Sequence, residues 1–181
     1  MTNLYIAIGT ADFMQTLKEK YKKEQMILAH NEINSILLHE TDKKTKFAAP
    51  KKYEVVASEG QLEEHGFFAV IYVSIMQEQH QVFEDRFKQR QHGIGKEPGF
   101  VAFRLLRPLN DTDYAVLTEW TGAGSFEAWK LTDDYKDAIA SYQEIGTINM
   151  NSQAFEPTLF TKTYTTNLDD VDFPDEDDER R

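Results

Sequence analysis

Four large aromatic residues follow one another closely in the sequence and could form the wall of an apolar binding pocket. Trp120 is predicted to end a strand, Trp129 to lie on the helix that follows, and Phe126 and Tyr135 to flank Trp129. Rings placed in this way can enclose a small hydrophobic molecule between a sheet and its helices. The alternative is that the same rings fill the hydrophobic core, which is the commoner role of clustered aromatic side chains.

The histidines do not form a pattern that would hold a metal ion. They are His30, His39, His65, His80 and His92, and no two of them have the spacing of metal ligands. The absence of cysteine from the sequence excludes disulfides, thiolate metal sites and cysteine nucleophiles. We therefore predict no metal site.

Motifs for nucleotides and flavins are also missing, as are the signatures of zinc proteases and serine hydrolases. The net charge of −11 disfavours a nucleic-acid partner, because phosphates require a basic surface. Much of this charge lies in residues 169–181, which hold eight acidic residues and two arginines. No apolar stretch is long enough to span a membrane and no signal peptide is evident, so we expect a cytoplasmic protein.

Strand and helix signals alternate through the second half of the chain. A nine-residue run, 67–75, which is apolar except for Ser74, predicts a central strand that is buried on both faces. The elements that follow give the order strand, helix, strand, strand, helix, strand, which is the split βαβ arrangement of ferredoxin-like folds. After the first strand they are predicted at 78–91, 100–106, 114–120, two short helices from residues 125 and 132, and 159–165.

The first half begins with a strand, 4–8, and a helix that Thr10 can cap. Further strands are predicted at 26–29, 35–39 and 53–57. This half could stand where a second subunit would lie in a dimer of single modules, so a monomer with an internal pseudo-dimer and a homodimer both remain open.

We accordingly predict an α+β fold with three segments. Residues 1–60 form an N-terminal α+β half that packs on the module, and residues 66–166 form the ferredoxin-like βαββαβ domain. Residues 167–181 form an acidic tail that is predicted to be disordered, because it has too few apolar residues to pack.

Several segments, taken in order, resemble the antibiotic biosynthesis monooxygenase superfamily. The core of the resemblance consists of GFVAFRLLRPL, YAVLTEW, SFEAW and DDYKDA, between residues 99 and 138. YIAIGTADF, HET and AAPKKYEVV in the first half further resemble a longer subgroup. That subgroup contains Isd-like haem-degrading monooxygenases and TRAP-type proteins described as signalling or stress factors. The resemblance implies a ferredoxin-like fold of the dimeric α/β-barrel type.

In the haem-degrading members, an asparagine, a tryptophan and a histidine form the site, and the histidine ligates the haem iron. The tryptophan corresponds to Trp129 here, whereas the histidine position is Ile139 and the strand position Tyr72 is not asparagine. The resemblance nominates Trp129 and Tyr72 as catalytic residues, and Trp129, Tyr135 and Ile139 as cofactor-binding residues. A phenolate from Tyr72, Tyr135 or Tyr142 could replace the missing imidazole as an iron ligand.

Two functions follow from the resemblance. The first is an oxygen-dependent monooxygenase that takes haem, as substrate or cofactor, or another small hydrophobic molecule. Some members of the wider superfamily oxidise aromatic polyketides without metal or flavin. The second is a non-catalytic, TRAP-like protein that acts through protein contacts.

Overall fold

A computed structural model describes residues 1–90, 93–147 and 159–172 of the chain. Eight strands close into one barrel in the order β1-β3-β2-β8-β5-β7-β6-β4. The strands are β1 (Asn3–Gly9), β2 (Ile27–His30), β3 (Ser35–Thr41), β4 (Lys51–Gly60), β5 (Phe67–Ser74), β6 (Phe100–Pro108), β7 (Asp113–Trp120) and β8 (Leu159–Thr165). The helices are α1 (Ala11–Lys20), α2 (His80–Arg90), α3 (Ala123–Lys130) and α4 (Asp133–Thr147).

Both halves of the chain contribute four strands to the barrel. The halves meet along β4 and β6, which pair over most of their length, and again where His30 of β2 pairs with Thr165 of β8. At the first of these seams Gly60 has a φ of 69°, and a Cβ on it would lie 2.1 Å from the carbonyl oxygen of Val101. Only glycine therefore fits where β4 ends against β6.

Side chains alternate between the interior and the outside of the barrel, because successive residues of a strand point to opposite faces. The interior is filled by apolar residues from all eight strands. Its members include Leu4, Ile6, Ala29, Ile36, Leu38, Tyr53, Phe68, Val70, Tyr72, Leu106, Ala115, Leu117 and Tyr164.

Helices α2, α3 and α4 cover the outside of β5, β6 and β7, and the residues buried there are named the outer cluster. They include Ala69, Ile71, Val73, Phe83, Phe87, Phe103, Leu105, Tyr114, Val116, Trp120, Phe126, Trp129 and Tyr142. Three residues on α4, namely Tyr135, Ala138 and Ile139, are partly buried against this cluster.

Helix α1 covers the outside of the first half. The hydroxyl of Thr10 accepts a hydrogen bond of 3.3 Å from the backbone N–H of Phe13 and so caps the helix, as the sequence predicts. Met14 is buried against β1 and β3 together with Phe47, which belongs to the loop after β3. The loop and the helix thus lie side by side on this face.

The acidic tail begins with local structure. Residues Leu168–Asp170 form a 3₁₀ turn that is capped by the side chain of Asn167, so disorder does not begin at residue 167 as the composition predicts. Residues 173–181, where most of the tail lies, are outside the described residues. Within the described ranges, no helix is both long and apolar enough to cross a membrane.

Candidate functional site

The two faces of β5 carry different side chains of the predicted site. Tyr72 points into the barrel, whereas its neighbours Ile71 and Val73 point outward to the helices. Trp129 lies on α3, on the outer side. The structure therefore does not bring Tyr72 and Trp129 together, because a shift of one residue along a strand changes the face on which a side chain lies.

Tyr72 is a buried phenol at one end of the barrel interior. Its ring stacks on that of Phe160 with 4.9 Å between centroids, and Lys51 Nζ lies 4.8 Å from its centroid. Burial, followed by the neighbouring phenols of Tyr53 and Tyr164, raises the pKa of Tyr72 above its ordinary value. The neutral form is thus favoured, and the ring serves to pack the barrel.

Trp129 lies at the centre of a group of rings in the outer cluster. Its centroid is 5.3 Å from that of Trp120, 6.2 Å from that of Phe126 and 4.8 Å from that of Tyr135. Only 5% of Trp129 is exposed. The carbonyl of Trp129 also accepts bonds from the backbone N–H and the hydroxyl of Thr132, at 2.9 and 2.6 Å. Packing and the end of α3 therefore fix its position.

Tyr135 and Ile139 lie one turn apart on α4, and both pack against the outer cluster. Trp129, Tyr135 and Ile139 therefore belong to one cluster, in which Tyr135 contacts Trp129 directly, and their binding of a ligand stays a prediction. Tyr142 lies further along α4, where it stacks on Phe87 with 6.0 Å between centroids. Burial raises the pKa of Tyr142, so this phenol too is held in its neutral form.

The indole N–H groups of the two tryptophans differ in their hydrogen bonding. Trp120 Nε1 donates to the hydroxyl of Thr118 at 2.9 Å. Trp129 Nε1 is buried and has no acceptor among the described residues. A buried donor without a partner costs about 1–3 kcal/mol, which marks Trp129 as the unusual member of the cluster.

The histidines whose hydrogen bonds the structure describes are engaged elsewhere. His30 Nδ1 lies 2.6 Å from the hydroxyl of Ser35, and His39 Nε2 lies 3.3 Å from Glu24. Burial lowers the pKa of both imidazoles. His80 Nε2 lies 3.1 Å from the carbonyl of Ile75. Within the described ranges, no group of three histidine or carboxylate residues could hold a metal ion.

A buried carboxylate network, which the sequence did not reveal, attaches α2 to the barrel. Glu84 accepts two hydrogen bonds of 2.7 Å from Arg107 and one of 2.5 Å from Tyr114. Burial disfavours the charged form of Glu84, but the bonds from Arg107 and Tyr114 prevail and lower its pKa. The hydrogen bonds of the Glu84 carboxylate all come from residues of the barrel strands, so the network anchors α2 on the barrel.

A second ion pair lies inside the barrel. Arg104 donates through Nε and Nη2 to Glu40, at 2.5 and 3.2 Å, and its Nη1 bonds to the carbonyls of Glu59, Gly60 and Phe103. Glu40 and Arg104 are 64 residues apart in the sequence. The pair therefore joins the two halves of the chain across the interior.

Glu119 is the least satisfied of the buried carboxylates. It is fully buried, its Oε2 accepts a hydrogen bond of 2.9 Å from the backbone N–H of Glu63, and its Oε1 has no donor among the described residues. Burial raises the pKa of Glu119 to about 7, although the Glu63 bond and the charge of Arg104 act in the opposite direction. This carboxyl can therefore change its charge near neutral pH.

A cleft of about 520 Å³ lies between α1 and the loop that joins β4 to β5. Its floor is apolar, with Met26 and Leu38, and Leu62 of the loop forms one wall. Lys18 of α1 and Glu64 of the loop line it and are joined by an ion pair of 2.8 Å. The residues that line the cleft include none of the outer cluster.

Comparison with known proteins identifies the second half of the chain. Residues 66–141 match the family described as antibiotic biosynthesis monooxygenase. They form an antibiotic biosynthesis monooxygenase domain. The resemblance inferred from the sequence is thereby confirmed, and so is the ferredoxin-like fold that the family shares.

Several proteins are similar to this chain over most of its length. The signal transduction protein TRAP of Staphylococcus epidermidis is 26% identical over 162 residues, which are 87% of this chain and 96% of that protein. The structure of a major regulator of staphylococcal pathogenesis has a TM-score of 0.78 at 24% identity, covering 91% of this chain and 99% of that one. A haem-degrading enzyme from Listeria monocytogenes has a TM-score of 0.70 at 19% identity, covering 90% and 98%.

The monooxygenase domain, as matched, contains every residue that the sequence nominated for the site except Tyr142. Tyr72, Trp129, Tyr135 and Ile139 all lie within residues 66–141. Of these, the last three face one cluster and Tyr72 faces the barrel interior. Within residues 66–141, three of the four nominated residues thus belong to the outer cluster.

Proposed function

We propose that this chain is a non-catalytic, TRAP-like member of the antibiotic biosynthesis monooxygenase superfamily, which acts in signalling or in a stress response through protein contacts. The observation that carries the proposal is the packing of Trp129. Its ring is 95% buried among Trp120, Phe126 and Tyr135, in the place where haem-degrading members are expected to present a tryptophan to the porphyrin.

The described residues around Trp129 do not fit haem. An axial ligand is needed to hold the iron, and the aligned position carries Ile139, whose side chain cannot coordinate a metal. Tyr72 cannot supply a phenolate there, because it lies on the opposite face of β5. Burial also keeps Tyr142 protonated. We therefore derive no oxidative step for this chain.

The experiment is a titration of the full-length protein with haemin, followed by absorbance. We expect no shift of the Soret band, because the aligned ligand position carries Ile139 and the phenol nearest Trp129, that of Tyr135, packs edge-on against the Trp129 ring. Incubation with a reductant and oxygen should then leave the haemin spectrum unchanged by the protein. Iron release, measured with a ferrous chelator, should equal that of haemin alone.

Two variants show whether any haem binding belongs to the cluster. Trp129→Ala removes the ring at the centre of the cluster, and Tyr72→Phe is the matched control because Tyr72 lies in the barrel interior. A Soret shift that Trp129→Ala abolishes and Tyr72→Phe retains would overturn the non-catalytic proposal. It would instead establish a haem site at the predicted position.

We further propose that the first half replaces the second subunit of a dimeric α/β-barrel, so that the chain is a monomer with an internal pseudo-dimer. Support comes from the shared barrel, in which each half provides four strands and the halves pair through β4 and β6. Light scattering after gel filtration should give the 21.0 kDa mass of a single chain. A mass of two chains would contradict the proposed monomer, even though one chain closes the barrel by itself.

A further inference from the structure

The positive charge of this acidic protein is concentrated in two short segments. Residues 18–26 and 41–52 contain nine of the 14 lysines and three carboxylates, which gives them a net charge of +6. The remainder of the chain has a net charge of −17. Segregation of this degree creates a strong local potential on a protein that is otherwise negative.

The two segments lie next to each other in the fold. Phe47, from the loop after β3, packs in one buried cluster with Met26 and with Tyr21 at the end of α1. Glu24 connects the segments again, since its carboxylate lies 3.3 Å from His39 and 3.9 Å from Lys46. One surface therefore carries the exposed lysines of both segments, Lys20, Lys22, Lys23, Lys43, Lys44 and Lys46, and is here named the basic face. Lys51 lies instead over the ring of Tyr72, at the end of the barrel interior.

Most of these lysines have no carboxylate nearby. The exposed members are Lys20, Lys22, Lys23, Lys43, Lys44 and Lys46. Among the described residues, only Lys46 of these six has a carboxylate within 4.0 Å, at the 3.9 Å distance given above. The basic face thus carries excess positive charge that its own carboxylates do not neutralise.

The acidic tail starts close to this surface. Thr166 bonds through its backbone N–H to the carbonyl of Gly66 at 3.1 Å, so β8 ends against the loop between β4 and β5. Two residues earlier in that loop, Glu64 pairs with Lys18, which borders the basic face. Nine residues, 173–181, follow the last described residue and span at most about 30 Å when extended.

We propose that the basic face is a docking surface for the acidic tail of the same chain. Residues 169–181 carry a net charge of −6, opposite in sign to the six exposed lysines of the basic face. A segment tethered this closely has an effective concentration of about millimolar at its own surface, which favours it over a free acidic partner. The contact would shield the lysines until a competing polyanionic surface displaces the tail. The proposed contact does not depend on whether the protein binds haem.

The sequence allows a direct test, because it contains no cysteine. A nitroxide attached to an Arg181→Cys variant of the full-length protein broadens the amide signals of residues that come near it. We expect broadening at residues 20–23 and 43–46. It should be largely lost when NaCl is raised from about 0.02 M to about 0.5 M, because exposed charges are screened over a few Å at high salt.

Matched charge variants separate this surface from general attraction. Lys22, Lys23 and Lys43 changed together to Gln should reduce the broadening by at least about half, because three of the contacts are removed. Lys88, Lys96 and Lys136 changed together to Gln alter the net charge equally but lie outside the basic face. They should leave the broadening unchanged. Equal effects of the two triple variants would overturn the proposal.

A mixed sample shows whether the contact is within one molecule. Isotope-labelled protein without nitroxide is combined with unlabelled protein that carries it, so that any broadening must arise between chains. We expect none at dilute concentration. Broadening of residues 20–23 in this sample would show that the occupant is a second copy, and an absence of broadening in both samples would show that the tail does not bind here.

Discussion

The outer cluster and the barrel interior lie on opposite faces of the same three strands, β5, β6 and β7, yet they bury different chemistry. The outer cluster is built mainly from rings, and its centre at Trp129 has no charged neighbour among the described contacts. The interior holds the ion pair of Arg104 with Glu40 and the fully buried Glu119. The outer face also buries the carboxylate of Glu84, but hydrogen bonds from Arg107 and Tyr114 satisfy it.

The two faces of these strands therefore differ in what their buried groups can do. Around Trp129 the described neighbours are rings and apolar side chains such as Ile139, which favour packing. Inside the barrel, Glu119 combines complete burial with a pKa of about 7 and one oxygen without a donor. Such perturbed groups are more often functional than well-paired ones, although structural networks perturb pKa values as well.

The largest expected effect tests whether the outer cluster is a packed core. Trp129→Ala should lower the free energy of unfolding by about 3–5 kcal/mol, because it leaves a cavity among Trp120, Phe126 and Tyr135. Trp129→Phe should cost less than about 1.5 kcal/mol, since it keeps most of the volume and removes the unpaired N–H. Urea unfolding followed by circular dichroism measures both.

A small loss of stability in Trp129→Ala would favour a binding pocket beside Trp129. If Trp129→Ala cost less than about 1 kcal/mol, the ring would be supported by few contacts, and the surroundings of Trp129 would collapse or already be open. The outer cluster would then resemble a binding wall more than a core. The outer cluster could then no longer be contrasted with the barrel interior as a packed core of rings.

A smaller expected effect concerns the pH dependence of stability and tests the barrel interior. The pKa of Glu119 is raised from 4.5 to about 7, so the folded protein binds this proton more tightly than the unfolded chain does. Its contribution to stability is therefore present below pH 4.5 and is lost as the pH rises through 7. We expect a loss of about 3 kcal/mol across this interval in the wild type relative to Glu119→Gln.

The stability of Glu119→Gln must be subtracted from that of the wild type at each pH, because other groups titrate in the same interval. Burial lowers the pKa of His30 and His39, which makes the folded state more stable as the pH rises toward 6.5 and so opposes the effect of Glu119. Both histidines are present in the wild type and in the variant, so their effect cancels in the difference. Parallel stability curves for the two proteins would show that water or a cation reaches Glu119 in the folded state.

The sequence predicts much of the fold because its local signals are strong. The strand 67–75 and the pair 100–106 and 114–120 closely match β5, β6 and β7. The face on which Tyr72 lies could not be predicted in the same way, because eight of the nine residues of the predicted strand are apolar and give no alternation to set the phase. Closure of the barrel decides on which face of β5 the side chain of Tyr72 lies.

The buried charges lay beyond sequence reasoning for a different reason. Arg104 meets Glu40, and Glu119 meets the backbone of Glu63, across 64 and 56 residues of sequence. No motif links such positions, since each pair depends on how the two halves close the barrel. The grouping of Trp129, Tyr135 and Ile139 was accessible because all three lie within ten residues on adjoining helices.

The smallest effect compares the two indoles directly. Thr118→Val should leave Trp120 Nε1 without its acceptor at 2.9 Å and should cost about 1–2 kcal/mol, because a buried donor would lose its partner. Thr118→Ser keeps the hydroxyl and should cost less than about 1 kcal/mol. A neutral Thr118→Val would show that this cluster tolerates an unpaired indole N–H without penalty. The orphan N–H of Trp129 would then carry no information about a missing ligand, and only its ring packing would count in the comparison.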